Sequence, residues 1–348
     1  MKAGVLTKNG TIEYKDVSMP ALSHDMAMVR VKAAGICGSD IPRVFQNKAH
    51  HYPLILGHEF SGEIVEIGSK VSKLKVGDRI VGAPLLPCMK CDACKNGNYS
   101  LCHNYSFVGS RIDGAFAEYV ALPEKNLVKI SPDVDYTNAV FFEPSTVALH
   151  ALLHAGGVKN ANIAVIGCGT IGIFVIQWAK ILGAKSVCAI DISSERLRLA
   201  IEMGADYTVD TTISDPIHAS ELLTKGRLFD LLIEAAGSVK TIKMSFSLIG
   251  NKGRICNIGT PKEEVCFPPD TFEQLNRKEF SLTGSWMSYS RPFPGIEWEM
   301  TSKHLADGTL KICDSFIFRK LPLSHVDEAF SLFLYPEQIK GKVILIND

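Results

Sequence analysis

As far as residue 148, apolar positions come in short runs of alternating character, broken by frequent Gly and Pro. Ala27–Val31, Gly62–Ile67, Arg79–Val81 and Phe116–Leu122 predict strands on this pattern. The texture then changes. Pro144–Ala155 has helical apolar spacing and predicts a connecting helix, after which strands and helices alternate. Strands are expected at Ile163–Ile166, Ser186–Ile190, Asp206–Val209, Leu228–Ile233, Arg254–Ile258 and Phe280–Thr283. Helices are expected at Ile171–Leu182, Ser194–Met203 and Val239–Leu248. Such alternation implies an α/β unit with a doubly wound parallel sheet. Beyond it, Ile296–Ala306 and Val326–Leu334 read as helices and Lys342–Ile346 as a final strand that returns to the first domain.

Ile163 to Ala179 carries no charge and is long enough to imitate a membrane span. Gly167, Gly169 and Gly172 punctuate it, which favours strand, turn and helix. Met1 to Gly10 has no apolar core of a signal peptide, so a soluble protein is expected. With 37 Lys and Arg against 37 Asp and Glu, no basic block points to nucleic acid or an anionic membrane. Length allows two domains with substantial cores: 348 residues.

Four of the ten cysteines stand as Cys88-x2-Cys91-x2-Cys94 and then Cys102, in a polar, aperiodic stretch. Short turns of this kind bring thiolates onto one tetrahedral Zn²⁺. Disulfides or unrelated thiols are the competing reading, and the strict spacing argues against both. A closed four-thiolate site has no open position, so it holds structure and performs no chemistry. Cys168, Cys188 and Cys256 have apolar flanks, read as buried thiols and fit a reducing cytoplasm.

Gly167-Cys168-Gly169-Thr170-Ile171-Gly172 follows one predicted strand and opens a helix. Its glycines allow a tight turn and close approach of a pyrophosphate to the helix N-terminus. Asp191 ends the next strand, where a carboxylate accepts ribose hydroxyls and repels a 2′-phosphate, favouring NAD over NADP. Arg196 on the following helix could reach the same edge; its ordinary role is a solvated face. Gly237, Ser238, Ile258 and Gly259 end later strands at the same cofactor edge.

Two further motifs, Gly35-Ile36-Cys37-Gly38-Ser39-Asp40 and Gly57-His58-Glu59, together with Glu143 in Phe142-Glu143-Pro144, offer a thiolate, an imidazole and carboxylates. Such a set would leave zinc an open position. Singly, each is more often packing or an ordinary polar residue. Together with the cysteine cluster, the glycine motif and Asp191, in this order over nearly the full length, they resemble the zinc-dependent medium-chain dehydrogenase family. The resemblance implies a GroES-like catalytic domain (1–148 and 286–348, with a zinc lobe at 84–105) and a Rossmann domain (149–285). It implies two zinc ions per chain, a catalytic one on Cys37, His58 and a carboxylate, and a structural one on Cys88, Cys91, Cys94 and Cys102. Ser39 would begin a proton relay, and the cofactor would be NAD.

Glu143, where simple alcohol dehydrogenases have cysteine, is similar to the polyol (sorbitol-type) branch. Glu59 would ligate zinc directly, stand behind the ligands, or simply pair with a cation such as Arg277. Residues 47–62, 84–88, 106–119, 284–290 and 294–299 are similar to branch members acting on a hexitol phosphate. The implied partner is a sugar alcohol or its phosphate, and the implied assembly a homo-oligomer, dimer or tetramer. Arg43, Lys48, Arg111 and Arg291 are the cations those segments offer a phosphate, and Phe45, Trp286 and Tyr289 are candidates for the substrate wall. Any one of these is more often a solvated charge or a packed ring. A quinone reductase or a structural relative without zinc would be expected to have broken metal motifs, and both motifs are complete.

Overall fold

The computed structural model describes residues 1–8 and 10–347. It contains two compact units, one of Met1–Glu143, Tyr289–Gly308 and Ile312–Asp348, the other of Pro144–Ser288 and Thr309–Lys311. No helix among the described residues is long and apolar enough to cross a membrane.

In the first unit a seven-stranded sheet runs Leu127–Lys129, Arg79–Gly82, Glu59–Ile67, Met26–Gly35, Lys342–Ile346, Ile317–Pro322, with Tyr119–Pro123 also on Met26–Gly35. Met26–Gly35 is the hub. It pairs antiparallel with Glu59–Ile67, putting Gly35 opposite Glu59, and with Lys342–Ile346, putting Gly35 opposite Ile344. Its alternating Val29, Val31 and Ala33 are buried, as a half-covered antiparallel strand requires. A smaller sheet joins Ile12–Asp16, Lys2–Leu6 and Leu54–Ile55. The strand expected at Phe116–Leu122 begins at Tyr119. Phe116 and Ala117 instead lie in a buried loop, bound through Phe116 O to Gly4 N and through a single bridge from Ala117 to Ala3.

The second unit is a six-stranded parallel sheet in the order Tyr207–Asp210, Ser186–Asp191, Asn162–Ile166, Phe229–Glu234, Ile249–Asn257, Ser281–Gly284. Numbered within the unit, that order is 3-2-1-4-5-6, the doubly wound arrangement that binds dinucleotides at its strand reversal. Val165, Ile166, Ala189, Ile190, Leu232 and Ile233 are buried, because parallel strands are covered on both faces. The helix Thr170–Ile181 buries every residue from Gly172 to Ala179, so the uncharged stretch is a strand and a core helix.

Two helices absent from the sequence-based expectation, Pro216–Thr224 and Pro269–Lys278, carry Pro in their first turn. The helix Val239–Leu248 starts at a reciprocal cap between Ser238 and Thr241. At its other end Lys278 Nζ donates to Phe246 O, Ser247 O and Ile249 O at 3.0–3.1 Å. An ammonium there satisfies carbonyls the helix leaves open and complements its dipole. Lys278→Met should therefore lower stability by about 1–3 kcal/mol in urea unfolding. An unchanged midpoint would show that water replaces the ammonium without cost.

Candidate active site and metal centres

Cys88, Cys91, Cys94 and Cys102 converge, their sulfurs all within 4.8 Å of one another. The lobe is built from a short helix, Asp92–Lys95, and a 3-10 turn, Tyr99–Leu101, beside the ribbon Leu85–Leu86 and Ser106–Phe107. The separation from Cys88 Sγ to Cys94 Sγ is 4.0 Å, and from Cys91 Sγ to Cys102 Sγ 3.8 Å. A disulfide needs about 2.05 Å. Thiolates each about 2.3 Å from a tetrahedral ion stand about 3.8 Å apart. The geometry fits zinc. Backbone N–H groups of Lys90 and Cys91 hold the Cys88 thiol down at about 6, whereas burial pushes Cys94 up to about 12. Four deprotonated thiolates here therefore require a cation.

A second set, Cys37, His58 and Glu59, also lies with its ligand atoms within 4.8 Å. Cys37 stands in the turn after Met26–Gly35, and Glu59 opens the neighbouring strand with His58 just before it. Their convergence follows from the register of that strand pair. His58 is buried and its Nδ1 has no hydrogen-bond partner among the described residues, Asp40 Oδ1 being 3.7 Å away. Buried polar atoms rarely go unsatisfied, and a metal ligand set gives one an explanation. The chemistry of the donors, one thiol, one imidazole and one carboxylate, fits zinc with an open position.

Glu143 lies outside this tightest set but within its field. Burial pushes its carboxyl up to about 7, with Glu59 and Asp40 adding to the rise and His58 and Lys342 opposing it. Cys37 is pushed up to about 12 by burial first and the Glu59 charge second. Ser39 is exposed, and its hydroxyl accepts Arg43 Nη1 at 3.1 Å. Sequence reasoning missed two members. Asp40, fully buried, accepts the Cys37 N–H at 3.1 Å and Arg43 Nη1 at 3.1 Å. Lys342 Nζ, also buried, donates to Glu59 Oε2 at 2.5 Å. The cation facing Glu59 is thus Lys342, whereas Arg277 pairs with Glu273 on its own helix. A lysine opening the otherwise apolar run Lys342–Ile346 was the available signal. Tyr289 is packed, stacking on Trp298 with its hydroxyl accepting Leu85 N at 3.0 Å. Phe45 and Trp286 are exposed.

In the second unit Gly169 caps the helix Thr170–Ile181, and nothing lies within 4 Å of where its Cβ would be. Open space above a helix N-terminus suits a pyrophosphate. Gly167 adopts φ +90°, and a Cβ on Gly172 would collide with Gly167 O. Asp191 Oδ2 accepts Cys168 N at 2.7 Å and Oδ1 accepts Ser193 N at 2.9 Å, which aims the carboxylate at the turn and leaves lone pairs for hydroxyl donors. Glu234, buried, accepts Gly237 N at 2.9 Å and Thr241 Oγ1 at 2.8 Å, setting the Gly237–Ser238 turn. Ile258 N and Gly259 N bond Glu234 O.

Both units have relatives with a common chemistry. The alcohol dehydrogenase GroES-like domain matches residues 23–132, and the zinc-binding dehydrogenase domain matches residues 170–303. The chain belongs to the zinc-binding dehydrogenases, two-domain oxidoreductases of the GroES-like and Rossmann type. It is 42% identical to galactitol 1-phosphate 5-dehydrogenase of Escherichia coli (strain K12), over 90% of each chain. The crystal structure of galactitol-1-phosphate dehydrogenase from Escherichia coli matches all of both chains, with TM-score 0.95 and 39% identity. A zinc-binding dehydrogenase from Sinorhizobium meliloti 1021, bound to NADP, matches with TM-score 0.89 and 30% identity over 99% of each.

Two substitutions separate the centres. Cys94→Ala should remove one of two zincs by metal analysis and lower the melting temperature, while NADH binding by fluorescence persists. Lys342→Met leaves Glu59 buried and unpaired, and should cost about 3–5 kcal/mol in denaturant unfolding. Wild-type stability in Lys342→Met would mean that the carboxylate finds another partner.

Proposed function

We propose that this chain oxidises galactitol 1-phosphate at carbon 5 to the ketose phosphate, with NAD as hydride acceptor. The supporting observation is the 42% identity to galactitol 1-phosphate 5-dehydrogenase over 90% of both chains. The convergence of Cys37, His58 and Glu59 is consistent with it.

In this reading Cys37, His58 and a carboxylate, Glu59 or Glu143, hold the catalytic zinc, and the four-cysteine lobe holds a structural one. When bound, zinc supplies Lewis acidity at a carbinol oxygen, and the dinucleotide supplies the hydride acceptor. Asp40 orients the cysteine turn through Cys37 N and lies beside the His58 imidazole. Lys342 offsets the Glu59 charge, so that thiolate and carboxylate can share a small buried volume. The Ser39 hydroxyl, within reach of the Cys37 sulfur and accepting Arg43 Nη1 at 3.1 Å, takes the carbinol proton toward solvent. Backbone N–H groups of Thr170 and Ile171 hold the pyrophosphate, and Asp191 holds the adenosine ribose. Its fixed carboxylate disfavours a 2′-phosphate, the basis for NAD over NADP; Arg196 is the residue that would favour the opposite choice. Ten cysteines with no disulfide among them suit the cytoplasm, the proposed compartment, and the proposed assembly is a homo-oligomer, dimer or tetramer.

Initial rates of nicotinamide reduction should favour galactitol 1-phosphate over galactitol, sorbitol and threonine by about tenfold or more in kcat/KM. NAD should be preferred to NADP with that substrate. Cys37→Ala should reduce turnover to background while the structural zinc and NADH binding remain. Preference for a free polyol or for threonine would overturn the substrate assignment.

A further inference from the structure

The four cations Arg43, Lys48, Arg111 and Arg291 have different surroundings. Arg291 Nη1 donates to Lys95 O at 3.3 Å and its stem lies against Gly97, so it braces the cysteine lobe. Lys48 is exposed. Arg43 is fixed: its side chain is 17% exposed and contacts Ser39 O at 2.7 Å, Ser39 Oγ at 3.1 Å, Asp40 Oδ1 at 3.1 Å and Ser110 Oγ at 3.1 Å. The Ser110 bond ties the turn after Cys37 to the loop that carries Arg111. The Arg111 guanidinium stacks over the Tyr105 ring at 4.3 Å and donates to its hydroxyl at 3.2 Å. That leaves most of its N–H fork exposed.

His50 completes the group. Burial, then the charges of Arg111, Arg43 and His51, hold its imidazole below the usual range, and each charge acting on it is cationic. The one anion bonded to Arg43 is Asp40, already engaged by Cys37 N and facing His58. Two guanidiniums thus act on one exposed imidazole, and the carboxylate bonded to Arg43 is already engaged, so the positive charge here is that of the arginines. Neutral polyols give no reason for it. A phosphate dianion does, because its oxygens accept several N–H groups at once and match the arginine fork.

Position sharpens the chemistry. Arg43 reaches back to the turn of Cys37 through Ser39 O and Ser39 Oγ, and outward to Ser110 Oγ beside Arg111. We propose that Arg111 and His50, with Arg43 as the buttressing charge, form the subsite that binds the phosphate of a phosphorylated polyol. The assignment rests on the polyol-phosphate reading above and adds to it the residues that read the phosphate.

The test uses zinc-loaded enzyme saturated with NADH, which occupies the dinucleotide loop. Inorganic phosphate titrated calorimetrically should bind once per chain, and Arg111→Gln and His50→Gln should each weaken it about tenfold or more. The same variants should raise KM for galactitol 1-phosphate by a similar factor, with a smaller change in kcat. Zinc content and NADH affinity at wild-type levels verify the fold. Absence of phosphate binding in the wild type, or unchanged binding in both variants, overturns the subsite. If the wild type prefers the phosphorylated polyol and both variants keep that preference, the subsite is wrong and the substrate reading stands. Equal kcat/KM for free and phosphorylated galactitol in the wild type overturns the substrate reading and the role of this subsite with it.

Discussion

The first unit depends on an ammonium and a carboxylate buried against each other. Lys342 and Glu59 are 7% and 3% exposed, and neither could remain charged there alone. Burial works against the Lys342 ammonium; Glu59, Cys37 and Glu143 outweigh it and hold the proton on. The benefit runs both ways, because Lys342 opposes the upward push on both Cys37 and Glu143. A pair like this adds little net stability over an apolar substitute. Its value is to keep a crowded set of acids in the charge state that a metal needs. The sheet delivers the pair: Met26–Gly35 lies between the strand that bears Glu59 and the one that bears Lys342.

Two thiolate environments on one chain illustrate how surroundings divide labour. Around Cys88 the backbone supplies N–H donors, and four sulfurs leave no room for another ligand. Around Cys37 the neighbours are an imidazole and carboxylates with their own partners, so an ion held there would keep an open position. Arg43 extends the second environment outward by touching Ser39 and Ser110, joining the reactive turn to the loop beyond it.

Much of this was legible in the chain. Parallel strands covered on both faces read as nearly continuous apolar runs, so Ile163–Ile166 and, Asp230 apart, Leu228–Ile233 stood out, and the doubly wound sheet followed. The helix Pro269–Lys278 did not, because none of its residues is buried and its apolar face consists of Phe272 and Leu275 alone. Pro216–Thr224 buries only Ser220 and was invisible for the same reason. The strand read as beginning at Arg254 starts at Ile249; Gly250, Lys252 at φ +58° and Gly253 look like a loop, and its pairing with Phe229–Glu234 shifts register there. At the sites, spacing exposed residues that act in short motifs, the cysteines above all. Lys342, Asp40 and His50 act across the fold or beside a motif, and composition alone gives no sign of what they face.

The discontinuity of the first unit has a temporal side. Glu59 and Lys342 are 283 residues apart, and the whole of the second unit is made between them. On a ribosome, the parallel sheet can close its own local contacts while the carboxylate of the first unit still waits for its lysine. Until then the strand Met26–Gly35 has an unpaired edge beside Ala33–Gly35, where Ile344–Ile346 will later bind. An exposed apolar edge invites pairing with a neighbouring chain. The same strand that completes the charge balance is therefore also the one that seals the sheet against aggregation.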